Sequence, residues 1–113
     1  MVEKQRGLIL NIISYTTKEV YTRSSAYAAS KAGVEAMMNV LRAEVRRKGI
    51  NIVNVYPGAV ATGIWPENQR QKYADQMLRP DEVARMVYEI SIQPRSVMVE
   101  ECIIRPCGGD LSR

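Results

Sequence analysis

Histidine and phenylalanine are absent from this chain of 113 residues, tryptophan occurs once and cysteine twice. Each shortage removes a class of chemistry. Without an imidazole to carry a proton there is no Ser-His-Asp or Cys-His relay. Zinc centres lose their nitrogen ligand, and Cys102 and Cys107 alone do not make a tetrahedral set, so no metal site is expected. The two cysteines read instead as small, reduced, partly buried residues. The scarcity of aromatic rings leaves only scattered tyrosines as platforms for stacked bases. Net charge is +4, but the basic residues are dispersed apart from Arg46-Arg47-Lys48, at an expected helix end where cations complement the dipole. No nucleic-acid partner is expected. Also missing is any apolar run of about 20 residues, the length that crosses a bilayer. The segment Met1-Val2-Glu3-Lys4-Gln5-Arg6 is charged, and the apolar run after it is short and broken by Asn11, which makes a poor secretory signal. The expectation is a cytoplasmic chain without a membrane partner.

What is present fits one small domain. Gly7 to Ile13, Gly-Leu-Ile-Leu-Asn-Ile-Ile, is a short and nearly continuous apolar run, the pattern of a strand buried on both faces of a parallel sheet. Ser14 follows its C-terminal end. In open α/β sheets ligands bind at the carboxyl ends of strands, so this serine is placed for chemistry; equally, it can simply cap a turn. Residues 15–24 are polar and read as a loop, with Ser24 or Ser25 as the cap of a helix running to about Lys48 and stopped by Gly49.

Near the start of that helix stand Tyr27 and Lys31. Residues four apart lie on one helix face, so phenol and ammonium can point into one site. A phenol ordinarily titrates near pH ~10, and a cation about 5 Å away at an effective dielectric of ~20 favours its ionised form by roughly 3 kcal/mol. Such a pair can move a proton near neutral pH. The spacing alone is weak evidence, because any tyrosine and lysine can share a face.

At 100° per residue the helix has three faces. Glu35, Asn39, Arg42 and Arg46 form a polar stripe; Val34, Met38, Leu41 and Val45 form a large apolar face in line with Tyr27 and Lys31; Ala29, Gly33, Ala36, Val40 and Ala43 form a face of mostly small residues. The large apolar face is expected to meet the sheet. The small one suits close approach of a second helix, from a second subunit, or else only reflects the helix propensity of alanine.

Ile50 to Tyr56 is β-branched and reads as a second strand, completing a βαβ unit. It runs into Pro57-Gly58-Ala59-Val60-Ala61-Thr62, a loop on the same sheet edge as Ser14, where glycine lets a ligand approach the main chain and Thr62 offers a hydroxyl. Residues 64–79 hold Trp65 and read as a mobile flap with a short helix. Pro80-Asp81-Glu82 opens another helix, with Val83, Met86, Val87 and Ile90 as its buried face and Pro94 beyond its end. Val97 to Ile104 reads as a last strand, and Gly108-Gly109 leads into a short tail.

Taken together, Ser14, then Tyr27 and Lys31, then Pro57-Gly58-x-Val60-x-Thr62 after the next strand resemble the C-terminal catalytic half of the short-chain dehydrogenase/reductase (SDR) family. The resemblance implies an α/β fold, a partial Rossmann-like, doubly wound parallel sheet of about three strands with flanking helices. It implies that residues 1–113 are the C-terminal half of a single Rossmann-type domain. It further implies an NAD(P)-dependent oxidoreductase that moves a hydride between nicotinamide and a small carbonyl or alcohol substrate, more readily in the direction of reduction. Tyr27 would be the general acid or base, Lys31 its cationic partner and a ligand of the nicotinamide ribose, and Ser14 the holder of the substrate oxygen. Pro57, Gly58, Val60 and Thr62 would line the cofactor site, with Trp65, Tyr15 and the flap shaping the substrate pocket. NAD and NADP are not distinguished, because the glycine-rich turn and the acidic or basic selector of the family have no counterpart here. The same gap suggests a truncated chain with an exposed sheet edge, and the alternative of a non-catalytic SDR remnant serving as an oligomerisation or interaction module. Either way a homo-oligomer through the helix at 25–48 is expected.

Overall fold

The structure is a computed structural model that describes residues 1–111. Positions 112 and 113, the end of the expected tail, lie outside the described residues. Three parallel strands, β1 (Gly7–Ile12), β2 (Ile50–Pro57) and β3 (Glu101–Ile104), form one sheet in the order β1-β2-β3. Helix α1 (Ser25–Val45) joins β1 to β2; a short α2 (Glu67–Lys72) and then α3 (Pro80–Ser91) lie between β2 and β3. The α/β class and the parallel, Rossmann-like sheet are as the sequence implies.

β2 is buried along almost its whole length, which is what its β-branched run requires. Its residues alternate between two layers. Ile50 and Ile52 pack with Val45, Met38 and Leu41 of α1, while Val53 and Val55 pack with Ile90 of α3. The helices therefore cover opposite faces. Because the strands advance in one direction across the sheet, crossovers on opposite faces have opposite hands, and one of them is of the rare left-handed kind. Among the described residues β1 pairs on one side only, and Leu8 and Ile12 on it are 38% and 47% exposed.

Five expectations need correction. α1 stops at Val45 rather than Lys48; Arg46–Lys48 tighten into a 3-10 turn before Gly49. Gly49 has φ +73, and a Cβ there would collide with the Gln5 carbonyl oxygen, so glycine is required by conformation and by space. Ser24 occupies the N-cap position of α1 but does not cap it: its hydroxyl turns back to donate to the Tyr21 carbonyl at 2.7 Å. On α3, Ile90 is buried and Val83 and Val87 are half-buried as expected, but Met86 is 42% exposed, at the margin of a narrower contact.

The last two corrections share one cause. The polar stripe of α1, not only its apolar face, lies against the sheet. Arg42 is buried, at 8% exposure, whereas Val34 is left exposed. The Arg42 guanidinium donates from Nε to the Ile52 carbonyl at 2.9 Å, from Nη2 to the Glu100 carbonyl at 2.7 Å and from Nη1 to Asn39 Oδ1 at 3.2 Å. Asn54 donates to Asn39 at 3.1 Å and accepts from Asn11 at 3.3 Å, so a polar chain crosses from β1 to α1. The Ile52 carbonyl points toward the β3 side, since the Asn54 amide two residues on donates to Glu100. Arg42 takes that carbonyl in place of a strand partner. This is why β3 starts at Glu101 instead of Val97: the guanidinium closes the ladder where the strand has not yet arrived.

Candidate active site

Ser14 ends the segment that leaves β1. It is 8% exposed and is the N-cap of a 3-10 turn, Tyr15–Thr17. Its Oγ accepts from the Thr16 amide at 3.2 Å and from Thr16 Oγ1 at 3.0 Å. With both lone pairs engaged, the Ser14 proton is the part left to act, and it can only donate. The turn-cap reading of this serine is realised, and the cap geometry leaves its one proton free to donate.

Tyr27 and Lys31 lie on the first turns of α1. Lys31 Nζ is 5.7 Å from the centroid of the Tyr27 ring and donates to the Ile12 carbonyl at 3.3 Å, so the ammonium lies over the C-terminal end of β1. Two of its three N–H groups remain available. Tyr27 is 38% exposed and its hydroxyl has no hydrogen-bond partner among the described residues.

The loop after β2 arrives at the same sheet edge. Pro57 is buried and in register with Ile104, and the Gly58 amide donates to the Ile104 carbonyl at 2.7 Å. Val60 bridges to Leu78: the Ala61 amide donates to Leu78 and the Leu78 amide to Ala59, each at 2.8 Å. The base of the 64–79 flap is pinned there, with Met77 buried beside it. Thr62 is half-buried, its amide donates to the Val60 carbonyl at 2.8 Å, and its hydroxyl is without a partner among the described residues. Tyr15, expected to shape the pocket, carries the Arg105 guanidinium 4.1 Å above its ring. Arg105 pairs with Asp110 at 2.8 Å, and Tyr21 donates to the same carboxylate at 2.6 Å. Burial and the Asp110 carboxylate push the Tyr21 phenol up to about 12. The loop before α1 is thereby tied to the segment after β3.

A family model for short chain dehydrogenases matches residues 1–73, which include Ser14, Tyr27, Lys31 and the Pro57–Thr62 loop. The chain belongs to this family. Family members use NAD(P). Among curated relatives, a sepiapterin reductase of Chlorobaculum tepidum is 33% identical over 112 residues, 98% of this chain and 46% of that protein. Among solved structures, the closed form of a serine dehydrogenase complexed with NADP+ superposes with a TM-score of 0.86 over 100% of this chain and 49% of its own; at 24% identity this likeness shows the fold alone. BdcA in complex with NADPH is 28% identical, with a TM-score of 0.74 over 94% of this chain and 47% of its own. The chain spans about half the length of the curated relatives it matches.

The donor set suits a nicotinamide dinucleotide of the SDR kind. Two free hydroxyls and an ammonium with N–H groups to spare can meet ribose hydroxyls and phosphate oxygens, and none of these side chains is a carboxylate that would repel them. Three residues were not singled out by sequence reasoning: Thr16, which fixes the direction of the Ser14 proton, and Glu35 and Arg42, which had been placed in a polar stripe without a role. Glu35 sits one turn beyond Lys31 on the Tyr27 face, and that i, i+4 continuation was the available signal.

Proposed function

We propose that this chain carries the proton-transfer half of an NAD(P)-dependent oxidoreductase of the SDR family acting on a small carbonyl or alcohol in the cytoplasm. The observation that supports it is the convergence of Ser14, Tyr27 and Lys31 at the C-terminal end of β1. The dinucleotide, when bound, supplies or accepts the hydride. Lys31 would hold its ribose, and Pro57, Gly58, Val60 and Thr62 would line its path. In reduction, the Tyr27 hydroxyl gives its proton to the substrate oxygen while the carbonyl carbon receives the hydride. The Lys31 ammonium stabilises the negative charge left on the phenol oxygen, which regains a proton from water at its exposed position. Ser14, restricted to donation by Thr16, holds the same substrate oxygen.

Titration of NADH and NADPH against the purified chain, followed by turnover with a small carbonyl, tests this reading. Tyr27→Phe is expected to lower kcat by about 100-fold or more while leaving cofactor affinity unchanged. Undiminished turnover refutes the assignment, and a chain that binds neither cofactor at millimolar concentration has no autonomous catalysis.

A second reading has its own support. Val40 is 59% exposed on the small-residue face of α1 among exposed Ala29, Gly33 and Ala36, and Met37, bordering that face, is 57% exposed. That surface suits association with a second copy, with or without chemistry. Light scattering on the chain and on Val40→Glu tests it: a species larger than the monomer that the charge disperses supports the interface, and a monomer in both cases refutes it.

A further inference from the structure

The groups that make up the proposed reacting set come from three separate pieces of chain: the turn after β1, helix α1, and the loop after β2. Hydrogen bonds within each piece do not fix one relative to another. The Glu35 carboxylate stands where all three meet. It lies on α1, one turn past Lys31 and two past Tyr27. From the turn after β1, Thr17 Oγ1 donates to its Oε2 at 2.9 Å, and Lys18 Nζ pairs with the same oxygen at 3.5 Å. From β2, Tyr56, a residue with no exposed surface that directly precedes Pro57-Gly58, is reached through Lys18; its own hydroxyl donates to Glu101 Oε1 at 3.4 Å. Lys18 closes the cluster, its ammonium 4.2 Å over the Tyr56 ring.

Charge is apportioned with the same economy. Lys18 neutralises Glu35, and Lys31, which also lies within one helical turn of that carboxylate, is directed instead to the Ile12 carbonyl. The Lys31 charge is kept for the site. The Glu35 side chain is 22% exposed, shielded enough for its hydrogen bonds to hold geometry.

We propose that Glu35 is a positioning residue: by holding Thr17 and Lys18 of the turn after β1, and through Lys18 the Tyr56 ring at the end of β2, its carboxylate keeps Ser14 and the Pro57–Thr62 loop in register with Tyr27 and Lys31. The proposal rests on the reading of those residues as the reacting set, but its first test does not require turnover. Amide chemical shifts of the 15N-labelled chain are compared with those of Glu35→Ala and of Glu44→Ala, an outward-facing carboxylate on the same helix. Glu35→Ala is expected to move the Thr16, Thr17 and Gly58 amides, on two other elements, while Glu44→Ala moves only its helical neighbours. Shifts confined to residues flanking position 35 overturn the proposal. Should Glu35→Ala fail to fold, Glu35→Gln, which keeps an acceptor for Thr17 but not the charge for Lys18, carries the same readout. In turnover, Glu35→Ala is expected to lose roughly tenfold in kcat with the cofactor KM held within about twofold, and Glu35→Gln to recover most of it. Wild-type kcat in Glu35→Ala overturns the role. A wild-type chain without turnover counts against the function reading alone, and the shifts still decide the positioning role.

Discussion

On the α3 side of the sheet, Val53 and Val55 meet Ile90 together with Leu10, Val99, Cys102 and Ile104, and the contact is apolar throughout. On the α1 side an apolar patch around Val45, Ile50 and Ile52 gives way to Asn11, Asn54, Asn39 and Arg42, joined by directed hydrogen bonds, and to Glu35, which accepts from Thr17. Apolar contact is non-directional and tolerates small slides of a helix over a sheet. A buried chain of amides and a guanidinium does not, because each displacement leaves a donor or acceptor unmatched. The helix that carries the proposed Tyr27 and Lys31 pair is the one held by the polar chain. The α3 helix, which carries none of the proposed reacting groups, is held by apolar contact.

Removing the guanidinium is the most damaging way to test that contrast. Arg42→Ala strands the Ile52 carbonyl, leaves Glu100 and Asn39 each short of a donor, and opens a void under α1. Urea unfolding is expected to show a loss of about 3 kcal/mol. Arg42→Lys should recover only part of it, since one ammonium cannot span acceptors that the planar fork reaches together. A loss below about 0.5 kcal/mol for the alanine variant would mean that the polar chain adds no more than a surface contact does.

The apolar side should respond in proportion to volume and nothing else. Ile90→Val deletes one methylene against Val53 and Val55, and a loss of about 1 kcal/mol is expected. The amide shifts of Thr16, Lys31 and Gly58 should stay in place, which calorimetry and a single NMR spectrum can establish together. Movement of those amides would dissolve the distinction between the two faces.

Much of this architecture is legible in the chain. The β-branched run at Ile50–Tyr56 reads as a strand and is the buried centre of the sheet; the apolar run at Gly7–Ile13 reads as a strand buried on both faces and is a strand, but one at the sheet edge with Leu8 and Ile12 exposed. Ser14, Tyr27 and Lys31 are singled out as a set by the family resemblance; topology and one helical turn account only for their nearness to the end of β1. The orientation of α1 about its own axis was not legible, and the reason is physical. A helical wheel sorts residues by hydropathy, and a polar stripe that is solvated looks the same as one whose partners arrive from distant strands. Arg42 finds Glu100 fifty-eight residues away, and Asn39 finds Asn54 across the layer. The length of β3 was misjudged for the same reason, because apolar Val97 and Val99 read as strand until the guanidinium is seen to occupy the ladder position beside Ile52.

The smallest effect concerns protons, and it too should fall on one face only. Burial by itself would raise the Glu35 pKa; the hydrogen bond from Thr17, the nearby Tyr56 hydroxyl and the Lys18 charge outweigh it and hold the carboxyl below its ordinary range. A carboxyl whose folded pKa lies below its unfolded value stabilises the fold fully above the unfolded value, near ~4.3 for glutamate. That stabilisation is lost as pH falls through the folded pKa, because the unfolded chain takes up the proton first. Stability measured by urea unfolding from pH 6 downward should therefore decline more steeply in the wild type than in Glu35→Gln, which has no proton to bind. Ile90→Val should fall in parallel with the wild type across the same range, since the contact it weakens contains no carboxyl, and its one thiol, Cys102, is pushed up by burial, away from acid pH. Equal slopes for wild type and Glu35→Gln would show that the donors around Glu35 do not favour its charged form, and would leave the α1 face held by Arg42 and the asparagines alone.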